Sequence, residues 1–317
     1  LFGHYADGRH RHFERVPFKP SFALLCISCA LGIYGIEYFL FLCSIERKLC
    51  YHIYPVRKMT TLHREADALA AEVVSSRASQ ILNTANGLAT GLLYMFNNVK
   101  PTIQDGPQCG IVALYIAASC LEVPCLPTVE QIMQTAKHMG ISHFGEILSA
   151  YWMAQLANRM LNCCAKVVDI SELNYRKIVE HLLNNGPVLI PYDSDKNFEP
   201  CMKGGRNAHW CVVVGLFIVD LEVNDRNANL QWIKDAQIIN ARFAALNDDQ
   251  MQVFIIAMHG KSRYPGVWNL HVLKDSNSNL FDLGRTGLTA TKDQEFKWPK
   301  GGLAELRGKV VTLEAIC

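Results

Sequence analysis

Residues 104–114 read QDGPQCGIVAL, and they set one cysteine, Cys109, between a Gly-Pro turn and a run of apolar residues. That run continues to Val123-Pro124, where proline stops it, so a helix is expected from Cys109 to about Leu121. A helix start carries main-chain N–H groups without internal partners and the positive end of the macrodipole. A cysteine there is expected to ionise more easily than a buried thiol. Gln104 and Gln108 bracket the turn, and a side-chain amide beside a backbone N–H is the donor pair that stabilises an oxyanion in acyl transfer. By residue type alone Cys109 is a small packing residue. A Gly-Pro-Gln turn before it and a glycine after it serve no packing need, and they favour the nucleophile.

Around this stretch the first half of the chain patterns as helix. Residues 61–98 carry alanine, leucine and glutamate at helical spacing and predict one or two helices. Thr128 to Gln131 reads T-V-E-Q, a capping box opening a helix to about His138. Further helices are expected over 144–160 and 171–185, the last closed by Gly186. After Gly186 short apolar runs predict strands at 187–192, 209–219, 252–258, 266–270 and 309–316. Two polar connections, 193–208 and 222–249, lie among them, and the first is a candidate active-site loop because it leads into a histidine. The order predicts an α+β architecture in which a helical half carrying the nucleophile and an antiparallel sheet half share a cleft.

Composition narrows the function classes. The 31 basic and 29 acidic side chains of the 317 residues leave a formal charge of +2, which is not the footprint of a nucleic-acid binder. Twelve cysteines without regular spacing, in a chain too large to need cross-links, read as reduced thiols of a cytosolic protein. Cys163 and Cys164 are adjacent, which suits neither an ordinary disulfide nor a zinc knuckle; no metal and no cofactor is expected. Residues 1–60 form an unassigned leader, and 61–317 the expected catalytic domain. Within the leader, 22–45 is almost wholly apolar, flanked by Arg11, Arg15 and Lys19 and by Arg47 and Lys48, and is long enough to span a bilayer. Glu37 interrupts it, and cations on both sides leave the orientation unreadable. A membrane anchor facing the cytosol, a buried helix and a gene-model artefact all remain open for this stretch.

A cysteine nucleophile needs a base, and the base an orienting partner. Of the 11 histidines, His181 reads as a surface residue of a helix, and His138 and His143 as turn or cap residues. His259 and His271 fall near strand ends and are able to approach a cleft. His209 is better placed: it follows the flexible GGRNA loop and begins the run WCVVVGLFIV, which fixes it at the entrance of a buried strand. The partner accepting its N–H should be Asn, Asp or Glu. Asn269, after the short run Val267-Trp268, is the choice, with Asp275 and Asn277 in KDSNSNL as alternatives. The chain order Cys, His, Asn is that of papain-like thiol hydrolases.

The blocks QDGPQCGIVAL, GISHFGEILSAYWMAQLA, GPVLIPYDSDKNFEP, GGRNAHWCVVVG and GKSRYPGVW followed by SNSNL resemble the actin maturation protease family, in order, over residues 101–280. The resemblance implies a papain-like cysteine aminopeptidase of the cytoplasm that removes the acetylated first residue, Met or Cys, from immature actin. Cys109 is then the nucleophile, His209 the general base, and Gln104 or Gln108 the oxyanion donor. The acidic actin terminus exposed by trimming calls for a basic rim, for which Lys203, Arg206, Lys261 and Arg263 are candidates. Competing readings are another thiol peptidase, such as a bacteriocin-leader peptidase of the C39 type or a deubiquitinase, and a non-catalytic membrane-held interaction protein.

Overall fold

A computed structural model describes residues 56–84 (side chains from 68), 89–123, 125–172, 175–184, 186–221, 229–248, 251–281 and 296–316. The apolar stretch 22–45 lies outside the described residues, as does most of the leader. From Arg57 onward the chain forms one compact unit. Its elements are α1 (Val56–Thr84), β1 (Thr90–Met95), α2 (Cys109–Cys120), α3 (Val129–His138), α4 (Ala150–Met160), β2 (Cys163–Asp169) and α5 (Tyr175–Asn184), then β3 (Val188–Asp193), β4 (Ala208–Asp220), β5 (Asn229–Trp232), α6 (Ala236–Ala244), β6 (Met251–His259), β7 (Gly266–Asn269), α7 (Leu270–Ser278) and β8 (Lys309–Ala315). No helix among the described residues is long and apolar enough to cross a membrane.

The strands make one eight-stranded sheet centred on β4. One edge of β4 pairs with β6 along most of its length, from Cys211↔His259 to Asp220↔Met251. Its other edge is shared: β3 takes the first half, with Tyr192↔His209 and Pro191↔Trp210, and β1 the second, from Gly215 to Asp220. The sheet forks there, one branch running β3–β8–β2 and the other β1–β5. A thirteen-residue strand keeps its inward pattern on two faces because a bulge between Val213 and Gly215 shifts the register. Before it Val212 and Val214 face one core and Val213 the other; after it Phe217 and Val219 face the first, and Leu216 and Ile218 the second.

Helices cover both faces, so the architecture is layered and not split into a helical and a sheet half. Helices α2, α3 and α4 pack on one face with Trp210, Val212 and Met258. Helices α5, α6 and α7 pack on the other with Ile190, Tyr192, Ile255 and Trp268. The α+β class holds, and the sheet is antiparallel except for the β1–β5 pair. Helix α2 begins at Cys109 as expected and is buried on all sides, only Cys109 and Tyr115 of its twelve residues escaping full burial. Thr128 and Gln131 form the expected capping box at α3, and Gly186, at φ 147°, follows α5. Local expectations fail as well. The helix expected from residue 144 starts at Ala150, because Glu146 gathers the loop before it. Residues 90–95 are a strand and not helix, and β2, over Cys163–Asp169, was not expected at all. Both strands owe their conformation to partners far along the chain, Thr90↔Asp220 and Cys163↔Ala315.

Candidate active site

Cys109 opens α2 from one face of the sheet, and His209 is rooted near the start of β4, two residues before Cys211, the first β4 position paired with β6. Both line one cavity of about 420 Å³, together with Gln104, Gly106, Pro107, Ile147, Leu148, Pro191, Phe198, Trp210, Lys261, Phe296 and Leu306. Main-chain N–H groups of Trp210, Gly110 and Cys109 itself point at the half-buried sulfur, and Lys261 adds a positive field; all four pull the thiol pKa down. Burial outweighs them and leaves it above the ordinary thiol value. The expected easy ionisation at the helix start is therefore overturned: the N-terminal N–H groups act in the expected direction, and desolvation is larger.

His209 is also buried, 6% exposed. Its pKa is pushed down to about 3, first by burial, then by the neighbouring His259 and Lys261. The site at rest thus pairs a neutral thiol with a neutral imidazole. No group of three or more His, Cys, Asp or Glu side chains able to hold a metal ion occurs among the described residues.

The two glutamines separate cleanly. Gln104 lines the cavity; its main-chain N–H donates to the Gly260 carbonyl at 2.7 Å, and its side-chain Nε2 to the Gly106 carbonyl at 2.6 Å. Gln108 turns away, its amide against Met133 Sδ at 3.4 Å and its stem over Gly145. Gly260 leaves the space that Gln104 fills: a Cβ there would lie 2.7 Å from Gln104 Oε1 and 2.9 Å from its Cβ. Gly260→Ala is accordingly expected to displace Gln104 and lower kcat by on the order of 10²-fold, the loss typical of one oxyanion donor. A thermal melt of the variant within a few degrees of the parent would assign the loss to the site; unchanged kcat would dissociate Gln104 from it.

The expected third member is not brought to His209. Asn269 caps α7, its side chain accepting the His271 N–H at 2.9 Å. It pairs with Phe254, five residues from His259 along β6 and hence about 17 Å away along the strand. Asp275 lies exposed on α7. Asn277 is buried and ties β3 to the segment entering β8, donating to the carbonyls of Pro191 at 2.7 Å and Lys309 at 3.1 Å. Its Oδ1 and His209 Nε2 each lack a hydrogen-bond partner among the described residues, so the two do not meet.

Of the basic rim, Lys261 alone lines the cavity among the described residues. Lys203 and Arg206 are exposed on the loop before β4, and Lys203 N donates to the buried Asp193 carboxylate. Arg263 lines a separate groove with Tyr264 and α1. Phe198, Gly260 and the Trp210 N–H were not expected at the site; Phe198 is placed by the turn between β3 and β4 and the other two by strand register, and only the glycine after His259 leaves a trace in the sequence. Glu146 also borders the cavity, but its carboxylate is engaged by the N–H groups of His143, Phe144 and Lys297 and by the Ser142 hydroxyl. It fixes the loop carrying Ile147 and Leu148.

This is an α+β protein whose cleft joins a helix-start thiol to a strand-start imidazole. The family described as actin maturation protease-like, C-terminal domain, matches residues 99–217. The actin maturation protease of Danio rerio is 36% identical over 229 residues, 69% of this chain and 74% of that protein. That of Mus musculus is 32% identical over 225 residues, 67% of this chain and 61% of the relative, and that of Homo sapiens 30% over 225 residues, 67% and 62%. The chain belongs to the actin maturation protease family, and it spans under two thirds of the mouse and human proteins it matches.

Proposed function

We propose that this chain is a cysteine aminopeptidase that removes the acetylated first residue, Met or Cys, from immature actin. The observation that carries the reading is the cavity in which Cys109, held by the Trp210 N–H, shares a wall with His209. His209 takes the proton of Cys109 as the sulfur attacks the carbonyl of the first peptide bond. The carbonyl oxygen becomes an anion, held by Gln104 and the Cys109 main-chain N–H once the Gln104 amide swings from Gly106. The intermediate collapses, the C–N bond breaks, and the proton on His209 passes to the departing amine. Water, deprotonated by His209, then cleaves the thioester and frees the acetylated amino acid with the thiol restored.

Ile147, Leu148, Phe296 and Leu306 form an apolar wall of the cavity that suits an uncharged methionine or cysteine side chain. Lys261, exposed and lining the cavity, suits the acidic residues that follow in actin; Lys203, Arg206 and Arg263, which lie outside the cavity lining, are the remaining basic candidates for that rim. The papain-like order of nucleophile and base fits this chemistry. The test is mass spectrometry of an acetylated actin N-terminal peptide incubated with the protein. The expected product is shorter by the acetylated first residue, and an intact peptide alongside cleaved ubiquitin chains would replace the assignment.

A further inference from the structure

This inference rests on the function proposed above and concerns what holds His209 in place. A base that shuttles a proton between sulfur and amine works only if its ring keeps one orientation, and in Cys-His-Asn sites an amide oxygen does this. Around His209 the neighbours are rings. Tyr192 stands edge-on at 6.0 Å between centroids, Phe198 tilted at 5.6 Å, and His259 edge-on at 5.8 Å. His259 is itself fixed, stacked on Trp268 at 6.0 Å with 16° between planes, its Nδ1 accepting the Lys261 N–H at 3.3 Å. Trp268 also backs Tyr192, at 5.3 Å.

Phe198 supplies the second observation. Its φ is 64°, in the left-handed region that costs a side-chain-bearing residue about 1–2 kcal/mol. Such strain persists where the surroundings over-determine it, and it clusters at functional sites. Here the Tyr192 hydroxyl donates to the Phe198 carbonyl at 2.8 Å, the Phe198 N–H to the Asp195 carbonyl at 3.1 Å, and the Asp195 carboxylate collects the N–H groups of Asn197 and Glu199. This turn lays the Phe198 ring against both His209 and His259, at 5.6 and 5.7 Å, with the ring also bordering the cavity. A turn that needed only to close would use glycine or asparagine at that φ.

We propose that His259 and Phe198, together with Tyr192, are positioning residues that orient His209 by ring packing, so that a Cys-His pair in an aromatic enclosure takes the place of a Cys-His-Asn triad. Edge-to-face and tilted pairs at these separations have preferred geometries, so the rings fix the tilt of the imidazole as well as its place. Trp268 and the Asp195 turn hold the enclosure from outside.

The test uses the full chain and four variants, His259→Ala, His259→Phe, Phe198→Gly and Asn269→Ala. Two readouts are taken: kcat and KM on the acetylated peptide, and alkylation of Cys109 by chloroacetamide as a function of pH. The titratable groups facing His209 in that profile are Tyr192, His259, Lys261 and Cys109. His259→Ala and Phe198→Gly are expected to lower kcat by on the order of 10²-fold with KM within about twofold, whereas His259→Phe, which restores a ring, stays within about fivefold of the parent. Alkylation at neutral pH should follow the same order. Asn269→Ala should keep its kcat and lose only helix-cap stability. The idea is overturned if His259→Phe is as slow as His259→Ala, if deleting either ring leaves kcat intact, or if Asn269→Ala is as slow as the ring deletions. A parent protein that does not cut the actin peptide would sink the proposed function instead, while the alkylation order still reads the enclosure.

Discussion

Replacing Cys109 by alanine yields a folded protein in which turnover of an acetylated actin peptide falls by on the order of 10⁴-fold or more, the loss typical of removing a covalent nucleophile. The fold should survive because the change removes only a sulfur atom from the first residue of α2. The packing that holds the helix lies beyond it, in Ile111, Val112, Leu114 and Ile116, all fully buried. Circular dichroism and a thermal melt should match the parent closely, and mass spectrometry should find the peptide intact. The parent's alkylation profile carries a second part of the same prediction. A thiol raised above its ordinary value by burial is protonated at neutral pH, so its reaction with chloroacetamide should keep accelerating above pH 9. A plateau across pH 5–8 would mean a standing thiolate-imidazolium pair and would contradict the neutral pair described here. Peptide cleavage by Cys109→Ala would remove the cysteine mechanism outright.

His209→Gln is expected to lower kcat by about 10³- to 10⁴-fold, toward the upper end of what a general base contributes. The loss should be large because a neutral thiol depends on its base at the moment of attack. The same variant makes a prediction of opposite sign for stability. His209 is held neutral in the fold to about pH 3, while an exposed histidine protonates near 6.5, so between those values the unfolded chain binds more protons. Stability from this site is complete above pH 6.5 and is lost as the pH falls toward 3; His259, pushed down to about 4, adds in the same direction. His209→Gln should therefore flatten the dependence of the urea midpoint on pH between 6.5 and 4 while the enzyme is nearly inactive. A variant with parental turnover would exclude His209 as the base. An unaltered pH dependence would show that it does not titrate as its burial requires.

Both predictions concern residues that stood out in the sequence, and the reason is local. A Gly-Pro turn before an apolar run marks a helix start, and a polar glycine loop before WCVVVGLFIV marks a strand start, whatever else the chain does. T-V-E-Q is equally local, since the side chains of Thr128 and Gln131 each accept the other's main-chain N–H within one turn. What failed was set at a distance. Asn269 follows a short apolar run in the right chain order, yet β7 pairs with β6 so that Asn269 meets Phe254, and it ends as a helix cap. His259 carries no distinguishing neighbour except Gly260, but the β4–β6 register brings it against His209. Gln104 and Gln108 are equivalent as text and differ only because Gly260 and Gly145 leave room for one at the cavity and the other behind it.

The sequence by itself determined where the thiol and the imidazole sit along the chain, which elements begin at them, and the family to which the chain belongs. Turn chemistry, capping and apolar patterning are properties of a few adjacent residues, and they can be read directly. Only the tertiary structure decided how those two groups are surrounded: which glutamine lines the cavity, that burial outweighs the helix start in setting the state of Cys109, and that the rings of Tyr192, Phe198 and His259 stand against His209. These depend on desolvation and on the pairing of strands separated by dozens of residues, and neither is written in any one stretch of the chain.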